Sequence, residues 1–200
     1  MLTLIISSLY FILPAYVANM MPVFAAKIPF GRRAGDGGWR EELFGKPISE
    51  RWFGAHKTWR GFYAGFLGAL IVLVAQAVLQ KYGIFEEYRG LDYSGGADWA
   101  GWMSVAVTAG VILGYAVLFG VGAIFGDLVK SFLKRRLGIK PGGAWFPLDQ
   151  LDFVIGAMLF LWPFVNLQGE IVAIVLVATP VLHFGANLIG YLVGLKKVWW

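Results

Sequence analysis

Residues 126–153 read GDLVKSFLKRRLGIKPGGAWFPLDQLDF, and the fold turns on how this stretch is read. It lies between two long apolar runs. Yet it carries three acids, Asp127, Asp149 and Asp152, and five bases, Lys130, Lys134, Arg135, Arg136 and Lys140. Taken as a helix, Gly126–Arg136 places Asp127, Lys130, Ser131 and Lys134 at i, i+3, i+4 and i+7, on one face. Val129, Phe132 and Leu133 turn largely the other way. Pro141, Gly142 and Gly143 then break the helix and leave a backbone that can approach a ligand closely. Asp149 and Asp152 follow, three residues apart, at the start of the next apolar run. A helix there puts both carboxylates on one side of its first turn, where the helix dipole also favours acids. Clustered carboxylates beside clustered bases suit a Mg²⁺–phosphate site: the acids hold the metal, and the bases and backbone N–H groups hold phosphate oxygens.

Outward from this stretch the chain is mostly apolar. Of 200 residues, 58% are hydrophobic and 14% charged, against about 25% charged in an average soluble domain. The apolar residues gather in five runs, which predicts an all-α integral membrane protein, one domain over residues 1–200. The expected transmembrane helices cover residues 2–26, 60–80, 99–125, 148–164 and 170–195. Charged cytoplasmic loops at 27–59 and 126–150 are expected to carry the chemistry. The chain has no cysteine, which excludes disulfides and thiolate metal ligands. No Lys or Arg precedes the first apolar run, which argues against a cleaved signal peptide.

The distribution of bases orients the helices. Of 17 Lys and Arg, eight lie between Lys27 and Arg60, five in the stretch quoted above and two in the tail, Lys196 and Lys197. Only Lys81 and Arg89 fall on the other side if five spans alternate. The positive-inside bias then places the N-terminus outside and the C-terminus in the cytoplasm. The expected location is the cell membrane, multi-pass, with the active site facing the cytoplasm. The net charge of +5 fits anionic lipid or nucleotide partners as well as that bias alone.

Two further groups of polar residues stand out. Lys57, Thr58 and Arg60 lead directly into the second apolar run, and a helix N-terminus is a natural place for phosphate. The alternative is that these bases only mark the membrane boundary. His183 and Asn187 are one turn apart in the fifth run. They either bond a neighbouring helix or line the cavity near the charged stretch.

Several classes drop out. There is no P-loop, no HExxH and no serine triad. Asp36-Gly-Gly-Trp-Arg40 is similar only to the opening of the CDP-alcohol phosphatidyltransferase signature, and its alanine and its downstream acids are missing. No nucleic-acid partner is expected.

The remaining motifs form a pattern. Gly126-Asp127, Lys130-Ser131-Phe132, Lys134-Arg135-Arg136, Pro141-Gly142 and Pro147-Leu148-Asp149-Gln150-Leu151-Asp152-Phe153 together resemble the archaeal CDP-archaeol synthases. Lys57-Thr58-Trp59-Arg60-Gly61 and the Lys196-Lys197-Val-Trp-Trp ending are similar too, so the resemblance covers nearly the whole chain. The same region is more loosely similar to the bacterial CDP-diacylglycerol synthases. The resemblance implies a Mg²⁺-dependent cytidylyltransferase that joins CTP to an isoprenoid ether lipid phosphate, 2,3-bis-O-geranylgeranylglycerol 1-phosphate. The products are the CDP-activated lipid and pyrophosphate.

On this reading Asp127, Asp149 and Asp152 hold the metal and, with Lys134, form the catalytic group. Lys57, Thr58, Arg60, Lys130, Ser131, Arg135, Arg136, Gly142 and Gly143 bind CTP and its phosphates, and His183 and Asn187 line the cavity. A lipid phosphate monoester is already largely a dianion at pH 7, so the reaction needs relief of charge repulsion more than a general base. The alternative is a small transporter or channel for an anionic substrate. Paired acids suit that less well, and there is no inverted repeat of the kind many transporters show.

Overall fold

The computed structural model describes residues 1–27, 45–54, 57–84, 102–139, 143 and 145–192. Among them the architecture is all-α: α1 Leu2–Lys27, a short α2 Glu50–Phe53, α3 Trp59–Lys81, α4 Trp102–Ala116, a π segment Val117–Val121, α5 Gly122–Arg136, α6 Leu148–Leu161 and α7 Gly169–Leu192. Among the described residues, three stretches are long and apolar enough to cross a membrane: Leu2–Ala26, Trp59–Lys81 and Ala106–Arg136. Gly169–Gly185 is a shorter apolar stretch.

The third stretch corrects the expected division of the chain. Helices α4 and α5 run on from each other through the π segment, so the boundary expected between a span ending at 125 and a loop beginning at 126 falls inside one helix. The 31 residues Ala106–Arg136 rise about 46 Å, against about 30 Å of hydrocarbon. The surplus of about 16 Å corresponds to the charged turns at the C-terminal end. Asp127, Lys130 and Lys134 therefore sit on a helical continuation of that stretch, not on a loop. Helix α6 begins at Leu148, as its acids suggested, but ends at Leu161, with Trp162–Phe164 in a turn. The last three residues of the expected fifth run, 193–195, lie outside the described residues.

Two prolines in α1 help to fix how α3 packs on it. Proline has no N–H, so Pro14 leaves the Tyr10 carbonyl, and Pro22 the Ala18 carbonyl, without its helical donor. Gln76 of α3, 3% exposed, donates its Nε2 to the Tyr10 carbonyl at 2.7 Å. At the Ala18 carbonyl α3 carries Gly65, where a Cβ would come within 2.8 Å of that oxygen. Buried residues of α1 recur at Ser8, Phe11, Ile12, Ala15 and Ala18, the stripe of a helix with one packed face. The core continues through Leu73, Phe119, Phe153, Val154, Leu161 and Val175. Phe11 meets Phe119 edge-on at 5.6 Å, and Tyr16 meets Phe153 at 5.3 Å. Thr179 of α7 is fully buried and bonded to Tyr16 at 2.7 Å.

Helices α5 and α6 pack through bare backbone. A Cβ at Gly122 would lie 2.9 Å from the Ala157 Cα and the Gly156 carbonyl oxygen. One at Gly126 would collide with the Asp152 carbonyl, and one at Gly156 with the Gly122 carbonyl. Gly122 and Gly126 are four apart, the small-xxx-small spacing that lets membrane helices approach closely.

Candidate active site

The Gly126–Asp152 contact brings the two halves of the charged stretch together. Helix α5 presents Asp127, Lys130, Ser131 and Lys134 on one face, as their spacing predicts. Ser131 and Lys134 are buried, and so is Asp152 in the first turns of α6. Asp149 sits in the first turn proper, and its Oδ2 accepts a 2.6 Å hydrogen bond from the Trp145 N–H.

Lys130 is the centre of the arrangement. Its Nζ lies 2.6 Å from Asp152 Oδ2, 3.0 Å from Asp127 Oδ1 and 3.7 Å from Asp149 Oδ1. Lys134 Nζ pairs with Asp149 Oδ1 at 2.6 Å and donates to the Gly143 carbonyl at 2.7 Å. A third cation comes from the start of α3, where Lys57 forms an ion pair with Asp127. Three carboxylates and three ammonium groups thus interleave in a partly buried space. Buried charges persist only when paired in this way.

The pairing is incomplete. Asp152, whose side chain is 4% exposed, has its Oδ1 buried with no hydrogen-bond partner among the described residues. Arg135 Nε is likewise buried without one. Most buried polar groups in native structures find partners, so such atoms call for an explanation. Among the described residues no three acids or histidines form a ready metal cluster; the Lys130 ammonium stands between the carboxylates.

The other expected site residues divide. Thr58 caps α3, its hydroxyl accepting from the Gly61 N–H at 3.2 Å. The segment before it folds back through a bridge between Pro47 and Thr58, which orients Lys57 toward α5. Arg60 bonds the Ala25 carbonyl near the end of α1, a bond that ties two helices. Arg136 is exposed, with its guanidinium 5.2 Å from the Phe132 ring centroid, while Trp52 of α2 packs on the same ring at 5.7 Å. The structure does not bring Arg136 to the acids. His183 is partly buried one turn beyond Thr179. Gly142 and the Asn187 side chain lie outside what is described.

Gly126 and Gly156, which bring the acids and lysines together, are not among the expected site residues. The spacing of Gly122 and Gly126 carries a signal for close approach, though not the identity of the partner helix. The Lys57–Asp127 pair was not expected either, because nothing local links residues 70 positions apart.

The family model described as "CarS-like: CDP-archaeol synthase" matches residues 1–200. A CDP-archaeol synthase of Methanococcus aeolicus is 34% identical over 200 residues, covering 98% of this chain and 97% of its own length. One of Pyrococcus horikoshii is 33% identical over 199 residues, with 98% and 97% covered. A solved structure of an intramembrane enzyme for archaeal membrane lipid biosynthesis is similar at a TM-score of 0.59 and 27% identity, covering 90% of this chain and 91% of that one.

Proposed function

Since this chain belongs to the CDP-archaeol synthase family, we propose that it transfers CMP from CTP to 2,3-bis-O-geranylgeranylglycerol 1-phosphate, releasing pyrophosphate. An oxygen of the lipid phosphate attacks the α-phosphorus of CTP. The bond from that phosphorus to the oxygen bridging to the β-phosphate breaks, and the electron pair leaves with pyrophosphate. The observation that carries this reading is the interleaved set of Asp127, Asp149, Asp152, Lys57, Lys130 and Lys134, with a buried Asp152 oxygen left unpaired.

Such a set suits a nucleotide. Lys57, Lys130 and Lys134 can exchange carboxylate partners for phosphate oxygens, so that charge stays balanced when a polyanion enters. The carboxylates then need a cation of their own. Asp127, Asp149 and Asp152 are hard oxygen donors of the kind Mg²⁺ takes, gathered around the Lys130 ammonium, and they would hold the ion once that ammonium turns to phosphate. When bound, Mg²⁺ supplies neutralisation of phosphate charge. Lys134 holds phosphate against the α5 face, and the Gly143 carbonyl fixes the direction of its ammonium beforehand.

The membrane arrangement is proposed as five spans with the N-terminus outside and the cluster facing the cytoplasm. The side distribution of the bases supports it. It puts CTP in water and the lipid tails in the bilayer. Cysteines introduced as Gly37→Cys and Gly142→Cys should label only from the cytoplasm, and Ser94→Cys only from outside. Labelling of Ser94→Cys from the same side as Gly142→Cys would overturn five spans.

The reaction itself is tested by incubating purified protein with α-phosphate-labelled CTP, Mg²⁺ and the lipid phosphate. A labelled CDP-lipid is the expected product. Its absence from folded protein sinks the reading.

A further inference from the structure

We infer that Trp52 is a positioning residue for this reaction: by packing on Phe132 of α5 it seats the segment that leads into α3, and so aims Lys57 at the carboxylate cluster. This rests on the transferase reading above and adds what fixes the direction of one of its three lysines.

Helix α2 is a single turn, Glu50–Phe53, with no buried residue. Isolated helices shorter than about 12–15 residues are marginal in water, so this turn needs support from outside. Phe132 offers it. The Trp52 and Phe132 rings lie 5.7 Å apart and 31° from parallel, and aromatic pairs stabilise beyond the area they cover. The Arg136 guanidinium lies 5.2 Å from the centre of the same Phe132 ring. Phe132 itself is on the side of α5 turned away from the acids, so this contact is not part of the charged cluster.

Lys57 is tied to α2 through its own backbone. Its carbonyl accepts from the Ile48 N–H at 2.7 Å, and its N–H donates to the Gly54 carbonyl at 3.4 Å. The Trp59 N–H donates to the Lys46 carbonyl at 3.2 Å, next to the bridge between Pro47 and Thr58. Gly54 ends α2 at φ +88°, a conformation that glycine takes without strain. The main chain of Lys57 is thus bonded to residues on both sides of Trp52 in sequence, and its ammonium reaches Asp127. Asp127 and Phe132 lie about 7.5 Å apart along α5 and about 140° apart around it. The segment therefore meets α5 on two faces, once through a ring and once through a charge. Lys134 is steered by the Gly143 carbonyl, and Lys130 stands among carboxylates of its own helix and α6. Lys57 comes from a third element on a flexible stem, so its aim depends on where that element is seated.

A double-mutant cycle tests this on the full chain, with kcat/KM for CTP as the readout. Trp52→Ala should lower it about tenfold, within the hundredfold that a misplacement of about 1 Å can cost. In a Lys57→Ala background the same change should cost less than about twofold, because the lysine it positions is gone. Trp52→Phe keeps a ring on Phe132 and should stay within about threefold of the wild type. Trp162→Ala, at a tryptophan 71% exposed in the turn after α6, should change nothing. Wild-type kinetics in Trp52→Ala overturn the inference and leave the indole as an anchor at the membrane surface. So does a loss of the same factor with and without Lys57, or an equal loss in Trp162→Ala. Should Trp52→Ala not fold, Phe132→Leu removes the other ring of the pair, and its loss should likewise vanish in the Lys57→Ala background; a loss that persists there overturns the inference. Wild-type protein that makes no CDP-lipid sinks the transferase reading instead, so the two failures are distinguishable.

Discussion

In the α1–α3 pair, as in the α5–α6 pair, glycines let one backbone approach the other. In the first pair the buried polar groups are answered within the fold. Ser8 donates to the Leu4 carbonyl, Gln76 to the Tyr10 carbonyl exposed by Pro14, and Arg60 to the Ala25 carbonyl. In the second pair the buried groups include the charged Lys134 and Asp152, and an Asp152 oxygen has no hydrogen-bond partner among the described residues. Close packing is thus common to both and marks neither as the working part. What separates them is whether the buried polarity is satisfied by the protein alone. The α1–α3 pair closes its own polar groups, and the α5–α6 pair leaves a buried carboxylate oxygen open among the described residues.

The comparison is most exposed to Asp152→Asn. This change keeps the shape and removes the charge. Loss of a preorganised charge in an active site costs about 100- to 1,000-fold in kcat, and a loss of that order is expected here. Thermal unfolding should show the variant still folded, because Lys130 keeps Asp127 as its partner. Full activity with unaltered Mg²⁺ dependence would place Asp152 with the scaffold.

Lys134→Ala comes next. A hydrogen bond to a charged group is worth about 1.5–3 kcal/mol, so kcat/KM for CTP should fall roughly ten- to a hundredfold. Kinetics like those of the wild type would mean that Lys134 serves only to hold Asp149 and Gly143.

Gly156→Ala probes the contact instead of the charge. Its Cβ would be driven into the Gly122 carbonyl, which belongs to the backbone and cannot swing away. A loss of about 1–3 kcal/mol or more is expected, with activity lost in parallel because Asp152 moves off α5. Unfolding followed in detergent, together with the assay, reads both.

Gln76→Leu should act on stability alone. It strands the Tyr10 carbonyl at a cost of about 1–3 kcal/mol, while turnover per folded molecule stays that of the wild type. A drop in turnover as large as that of Asp152→Asn would erase the difference between the two helix pairs. The smallest effect is expected for Gly68→Ala, whose Cβ has the Met21 and Val17 side chains, not backbone, as its nearest neighbours. A methionine that can shift should hold the cost at the low end of overpacking, about 1 kcal/mol.

Much of this was legible in the sequence. Long apolar runs dictate helices, since a chain in lipid must satisfy its backbone within each segment. The helical period put Asp127, Lys130, Ser131 and Lys134 on one face, and three-residue spacing put Asp149 and Asp152 together at the start of α6. Both are consequences of local geometry, and the structure sets Lys130 and Lys134 of that face beside the two α6 acids. Arg136 was less well placed. It lies opposite that stripe, four residues after Phe132, and the structure sets its guanidinium over that ring, where Trp52 also packs.

What only the tertiary structure decided is which of these groups meet. That Lys57 reaches Asp127, that Lys130 lies among all three carboxylates, and that Gln76 answers a carbonyl freed by Pro14 are contacts between residues on different turns or different helices. So is the continuity of α4 and α5 through a π segment a matter of the fold, and it carried the charges off a loop and onto a helix. The sequence determines the faces of its helices because a side chain's direction follows from its own backbone. Which faces meet depends on how closely two backbones can approach, and here that was settled where Gly126 touches the carbonyl of Asp152.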